Sequence, residues 1–370
     1  MWKKIKFHAR LNESFGEVEN TEEQSKQRNS LCDLRTSAPL CVKKNLFLIL
    51  FLCLFLQNSY SQNDSSFLHR FITPAEEFNK TRFNLTLGTE IGLYGGFSYL
   101  LYNYWYRDYD LVKFHFFNDM GEWNQMDKVG HAFTAAFETN MTTMLYQWTG
   151  MKDENAYWAG AITGSALQLM IETMDGFSEK WGFSIGDFAA NSFGAGLSMT
   201  QNYLWDEQRI RIKFSSHYID HTVDGADAVT RADALFGTSG AEKVLKDYNG
   251  QTYWLSVNPS TFMQEETKFP KWLMVSVGYG AIGLYGGYEN KWCPDPEISP
   301  EFCPEEMLIT RTDIDRYRQY YLSLDLDLTK LKADAPFWKM MFEILSIVKI
   351  PAPAIEFNEG HGVKFYFLYF

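Results

Sequence analysis

Asp127 and His131 lie four residues apart with Lys128 beside them, so on a helix a carboxylate and an imidazole share one face. That pairing is what general acid–base chemistry requires, because the carboxylate orients the imidazole and tunes its hold on a proton. Further along, Glu172 and Asp175 are three apart, and Asp187 and Asn191 are four apart, followed by Gly194 and Gly196. Carboxylates buried among apolar side chains are costly unless each meets a cation, a donor or a metal. If the segments carrying them pack together, His131, Lys128 and Asn191 are the natural partners of Glu172, Asp175 and Asp187. Three chemistries are then open. The groups form an internal hydrogen-bonded lock, or His131 works as general acid or base with Asp127 or Glu172 orienting it and Lys128 holding a phosphate. In the third, Glu172, Asp175, Asp187 and His131 hold a divalent cation. Taken singly, Asp127, Asp175 and Asp187 also suit helix caps or first turns. No other cofactor is expected.

These residues sit on segments with helical patterning. Gly88–Tyr106, Asp127–Trp148, Asn155–Met174 and Ile185–Trp205 each run four turns or more between Gly-containing or charged connections. They are rich in Ala, Gly, Met and Thr, and small residues let helices approach closely in water or in lipid. After 205 the pattern changes to alternation. Arg209–Phe214, Thr252–Val257, Trp272–Gly280, Tyr321–Leu328 and Val363–Phe370 read as antiparallel strands. A last strand ending on Phe fits an outer-membrane barrel or an ordinary half-buried sheet. Phe337–Val348 reads as a short amphipathic helix stopped by Pro351 and Pro353. The expected class is therefore α+β: a helical bundle of about four helices over 62–205, then an antiparallel, barrel-like, strand-rich region over 206–370.

Ahead of these lies Lys43-Lys44, an apolar run of 11 residues from Leu46 to Leu56, and Ser59-Tyr60-Ser61. This is the layout of a secretory signal over 43–61, and the run is short for a bilayer-spanning helix. Residues 1–42 are polar and read as a disordered or mis-assigned upstream extension, with translation expected to begin near Val42. Removing 1–61 leaves 25 basic and 40 acidic residues, a net charge of -15. It also leaves Cys293 and Cys303, which across a Pro-rich loop in an exported chain are expected to form a disulfide.

Composition limits the function. The 370 residues carry a formal net charge of -12, which excludes a broad basic surface for nucleic acid. Aromatic residues make up 17%, which suits partners such as membrane lipid or another envelope component. There is no phosphate-binding Walker loop and no His-Glu-x-x-His, which disfavours P-loop enzymes and zincins. His217 and His221 are spaced to grip a metal on a helix, but they follow a strand in a polar stretch and are expected in a surface loop.

The ordered set Asp127-Lys128-Val129-Gly130-His131, Glu172-Thr173-Met174-Asp175-Gly176 and Gly182-Phe183-Ser184-Ile185-Gly186-Asp187-Phe188-Ala189-Ala190-Asn191-Ser192-Phe193-Gly194 resembles the YfiM-type predicted periplasmic lipoproteins, and more distantly VanZ-like membrane proteins. The likeness covers roughly 115–205. It implies an exported protein of the periplasm or outer membrane with a shared polar site, and names no activity. The expected function is accordingly a bacterial cell-envelope protein, membrane-associated, with a binding or structural role. The alternative is an enzyme on phosphorylated or lipid-linked envelope substrates that uses His131 with Asp127 or Glu172.

Overall fold

The computed structural model describes residues 67–107, 109–264, 267–295, 303–358 and 360–370. The signal segment at 43–61, the upstream extension and Cys53 lie outside them. The chain opens with α1 (Phe67–Ile72) and α2 (Lys80–Leu101), the latter capped by Asn79 and running into a wider π turn over Tyr102–Tyr106. β1 (Phe116–Phe117) and α3 (Met126–Trp148) follow, then α4 (Asp153–Gly176), β2 (Phe183–Ser184) and α5 (Ile185–Trp205). Next come β3 (Ile210–Ser216), α6 (Ala226–Phe236), α7 (Gly240–Lys246), β4 (Gln251–Val257) and β5 (Leu273–Ile282). The short β6 (Lys291–Trp292) and β7 (Ile309–Thr310) precede β8 (Tyr317–Leu326), α8 (Pro336–Leu345), β9 (Ala352–Asn358) and β10 (Gly362–Tyr369).

Small residues set how close the helices come. A Cβ at Gly160 of α4 would lie 2.1 Å from Thr143 Oγ1 of α3, and one at Gly164 would lie 2.7 Å from the Thr139 amide. On α5, a Cβ at Gly194 would lie 2.0 Å from the Ala132 carbonyl of α3. Thr142 donates its hydroxyl to the Gly160 carbonyl at 2.8 Å, a bond that closes because Gly160 has no side chain. α3 therefore meets α4 and α5 almost backbone to backbone, and the polar residues on their facing sides are drawn together. α2 is different: only Thr86 and Glu90 are buried along it, while Leu85, Ile91, Leu93 and Leu100 face outward. Among the described residues, no helix is long and apolar enough to cross a membrane.

The main sheet has six antiparallel strands in the order β10-β9-β8-β5-β4-β3. It is mixed with helix as expected, but it does not close into a barrel. No ladder joins β3 to β10; β3 instead meets the segment ahead of β9 through a single bridge from Phe214 to Val348, and Tyr369 on β10 meets His217, just past β3, through a ring contact only. The alternation that suggested a barrel also suits an open sheet, because a period of two fixes the faces and not the closure. β9, with Pro351 and Pro353 at its start, was masked by the helix-stopping sense of those prolines. β3 and β4 pack on α3 through Phe133, Phe214 and Tyr253, whose ring centres lie 5.4–5.7 Å apart. The Cys293–Cys303 disulfide is formed.

His221 is not a surface residue. It is buried, with Nε2 2.9 Å from Asp247 and Nδ1 2.8 Å from the Tyr285 hydroxyl, which itself donates to Asp224 at 2.6 Å. Partners at positions 247 and 285, far along the chain, turn a polar loop into an anchored one.

Candidate polar site among α3, α4 and α5

The first turn of α3 presents Asp127, Lys128 and His131, and the turn before it is strained. Trp123, Asn124 and Gln125 are three successive residues with φ between 49° and 62°, a left-handed conformation that costs side-chain-bearing residues about 1–2 kcal/mol each. Contacts from the sheet side hold this turn: Tyr279 donates to the Asn124 carbonyl, the Trp123 amide donates to the Gly287 carbonyl at 2.8 Å, and Arg318 donates to Gln125 Oε1 at 2.8 Å. Asp127 is thus a first-turn residue and not a cap. On α5 the cap is Ser184, whose hydroxyl accepts from the Asp187 amide at 3.0 Å.

Lys128 is nearly enclosed. Its ammonium lies 2.7 Å from Asp119, 2.7 Å from Asp187 and 3.1 Å from Asp127. His131 uses Nδ1 on Asn191 Oδ1 at 3.2 Å, which turns Nε2 toward three carboxylates. Asp187 stands 3.7 Å away, Asp127 3.8 Å and Glu172 3.9 Å, all just beyond hydrogen-bond reach. Glu172 is 1% exposed and accepts from the Ser184 amide at 3.1 Å, and the Ser184 hydroxyl donates to Asp119 at 2.6 Å. Tyr248 reaches across from beside β4 and donates to Asp127 at 3.0 Å. The structure therefore gathers Asp127, Lys128, His131, Glu172, Asp187 and Asn191. Asp175, at the end of α4, instead accepts from Tyr106 at 2.7 Å.

Four carboxyls face two cations, and the protonation pattern follows from that imbalance. Burial, aided by the Asp187 carboxylate, pushes Glu172 up to about 8. Burial and Asp127 push Asp187 up to about 7. Burial works against charge on Lys128 too, but Asp127, Asp119 and Asp187 outweigh it and keep the ammonium firmly charged. For His131, burial is likewise overcome by Asp127, Asp187 and Glu172, so its affinity for a proton rises. Burial would raise Asp119, yet hydrogen bonds from Lys128 and Ser184 hold it below the usual carboxylate range. Near neutral pH the cluster offsets its excess of negative charge by keeping a proton on Glu172 and part of one on Asp187. A donor acid beside an imidazole whose hold on a proton is strengthened is the equipment for proton transfer.

Asp127, His131 and Asp187 each offer one ligand atom, and these atoms lie within 4.8 Å of one another, so a cation could be held there. Lys128 already brings a positive charge to the same Asp187 oxygen. On the other side of Asn191 lies a groove of about 490 Å³ between α4 and α5, lined by Trp158, Ile162, Leu169, Phe188 and Ala195. Asn191 lines it too, is 4% exposed, and its Nδ2 has no hydrogen-bond partner.

Asp119, Ser184 and Tyr248 belong to the network and were not singled out from the sequence. Ser184 carried a usable signal, since Ser-x-x-Asp ahead of an apolar run marks a helix start whose cap hydroxyl is buried with it. Asp119 and Tyr248 carried none, because each reaches the cluster from a separate segment.

Neither a curated protein nor a solved structure matches the chain. Residues 115–203 match the model of a family described as a predicted periplasmic lipoprotein (DUF2279), a description that implies an exported, periplasmic location. That span holds every member of the cluster except Tyr248.

Proposed function

We propose that the chain is an exported bacterial cell-envelope protein that binds a lipid-linked envelope molecule, its apolar chain in the groove between α4 and α5 and its polar end at Asn191 and His131. The observation that carries this reading is Asn191, which joins an apolar groove to a charged cluster and keeps a buried, unpartnered Nδ2. A buried amide hydrogen without an acceptor costs about 1–3 kcal/mol, which a ligand oxygen would recover. Groove volume and apolar lining are those of a site for one chain or a few rings. The same reading keeps the protein in the periplasm or at the outer membrane and keeps its kinship with YfiM-type and VanZ-like proteins.

Photolabelling with a phospholipid bearing a diazirine on its acyl chain tests it. The label should map to α4 and α5, and Ala166→Trp, which fills the groove from an exposed position, should cut labelling about tenfold. Equal labelling of wild type and variant, or labelling confined to other elements, would reject the reading.

An enzyme on phosphorylated or lipid-linked substrates is the second reading, favoured by the donor acid Glu172 beside His131. In it Lys128 serves as counter-ion to three carboxylates and not as a phosphate ligand, since its hydrogens are already committed. His131→Gln would then bind the labelled lipid as wild type does and convert none of it. If that variant loses binding as well, His131 belongs to the binding site.

A further inference from the structure

Asn191 stands part-way along the groove between α4 and α5, and not at its end. On α5, Phe188 lies nearly one turn before it and Ala195 about one turn after it, and both line the groove. On α4 the lining runs from Trp158 to Leu169, about 16 Å of helix. Ser192 is on the lining too, but its hydroxyl is spent on the Phe188 carbonyl at 2.8 Å. A group that meets Asn191 therefore has apolar wall on both sides of it. That suits a linkage within the ligand better than a terminal charged head.

The Asn191 amide narrows the chemistry of that linkage. His131 donates from Nδ1 to Asn191 Oδ1 at 3.2 Å, and the carboxylates around His131 strengthen its hold on a proton. The amide is thereby fixed with Oδ1 on the ring, and Nδ2 keeps hydrogens with no acceptor in the protein. An ammonium brings only further hydrogens and cannot satisfy Nδ2. A carboxylate or phosphate could accept, but the groove lining carries no charged residue among the described ones. Behind Asn191, Asp127, Glu172 and Asp187 surround His131 at 3.7–3.9 Å, and Lys128 is held by Asp119, Asp127 and Asp187. An anion in the groove would add to a surplus of carboxyls whose two cations are already engaged. A hydroxyl accepts too, yet brings a hydrogen of its own that apolar walls leave unpaired. A carbonyl oxygen accepts without charge and has no hydrogen to place.

We infer that the groove recognises the carbonyl that joins an acyl chain to its carrier, an ester or an amide, and that Asn191 selects this linkage over a free fatty acid. The inference rests on the lipid-binding reading above and narrows its ligand to a neutral acyl linkage, with any phosphate of the carrier left outside the groove.

Calorimetric titration of the whole protein at pH 8 tests it, with monomyristoylglycerol, N-myristoylethanolamine, myristate and tetradecanol, each below its micelle concentration. The ester and the amide share a chain length with the other two and differ in the group offered to Asn191. Both should bind at least about tenfold more tightly than myristate or tetradecanol. Asn191→Asp keeps an acceptor for His131 and removes the amide hydrogens, so it should weaken the ester and the amide about tenfold, to the level of tetradecanol. The ranking of the four compounds on the wild type needs no variant and decides the matter even where the variant folds poorly. Myristate or tetradecanol binding as tightly as monomyristoylglycerol would overturn the inference and leave the lipid-binding reading standing. Binding of none of the four, or equal affinities in wild type and Ala166→Trp, would overturn that reading and this inference with it.

Discussion

Glu172 shows how one buried group can set the pH response of the molecule. The folded chain keeps its proton up to about pH 8, whereas the unfolded chain releases it near 4.3. Its contribution to stability is complete below the unfolded value and is lost as pH climbs through 8, because the folded state holds more protons over that window. Asp187 and His131, both raised, act in the same direction. Asp119 is lowered, so its contribution is present above the ordinary carboxylate pKa and is lost as pH falls below it. Stability should therefore peak in the mildly acidic range and decline toward pH 8. Glu172→Gln, which keeps an acceptor for the Ser184 amide, should flatten that decline and gain on the order of 2 kcal/mol over wild type at pH 8, measured by urea unfolding at several pH values. Lys128→Met removes the ammonium and leaves three carboxylates facing one another, which should cost about 3–5 kcal/mol at pH 8. The deficit should shrink at pH 5, where the carboxyls take up protons in its place; thermal melts at the two pH values check this.

Among the elements, α5 is placed by Gly194 and α3 by the strained turn that precedes it. Gly194→Ala would drive a Cβ into the Ala132 carbonyl and force the two helices apart, at about 1–3 kcal/mol. Asp187 and Asn191 ride on α5, so the same substitution should loosen their hold on His131 and bring its titration, followed by NMR, back toward 6.5. Gly196, two residues on, has nothing within 4 Å of its would-be Cβ. Gly196→Ala should instead stabilise α5 by up to about 1 kcal/mol and leave the His131 titration unmoved. If the two glycines behave alike, close packing is not what positions the cluster.

At the scale of the whole molecule, helices and sheet share one compact unit from Asp64 to Phe370. Phe133 packs against Phe214 and Tyr253, and Tyr248 bonds to Asp127, so the strand-rich region supports the helices that carry the site. The Cys293–Cys303 bridge closes a loop remote in sequence from that contact. Reducing it should cost about 2–3 kcal/mol through the freedom returned to the unfolded chain. It should leave the His131 titration unchanged, and melts with and without reductant, beside histidine NMR, measure both effects.

Much of this was legible in the residues themselves. Alternation and helical spacing located the long helices and most of the strands, because burial of one face imposes periods of 2 and 3.6 on any chain. Charge scarcity in the helices singled out Asp127, Lys128, His131, Glu172, Asp187 and Asn191, since an ionisable group persists in an apolar setting only with partners. Asp119, Tyr248 and the burial of His221 were hidden, because their partners are distant along the chain and no local spacing encodes them. Closure of the sheet was equally out of reach: strand faces follow from sequence, while the angle through which successive strands turn is settled by packing. Tertiary structure alone also made Lys128 a counter-ion and left the Asn191 amide open to a groove, for which hydrogens are taken depends on how near neighbouring backbones come.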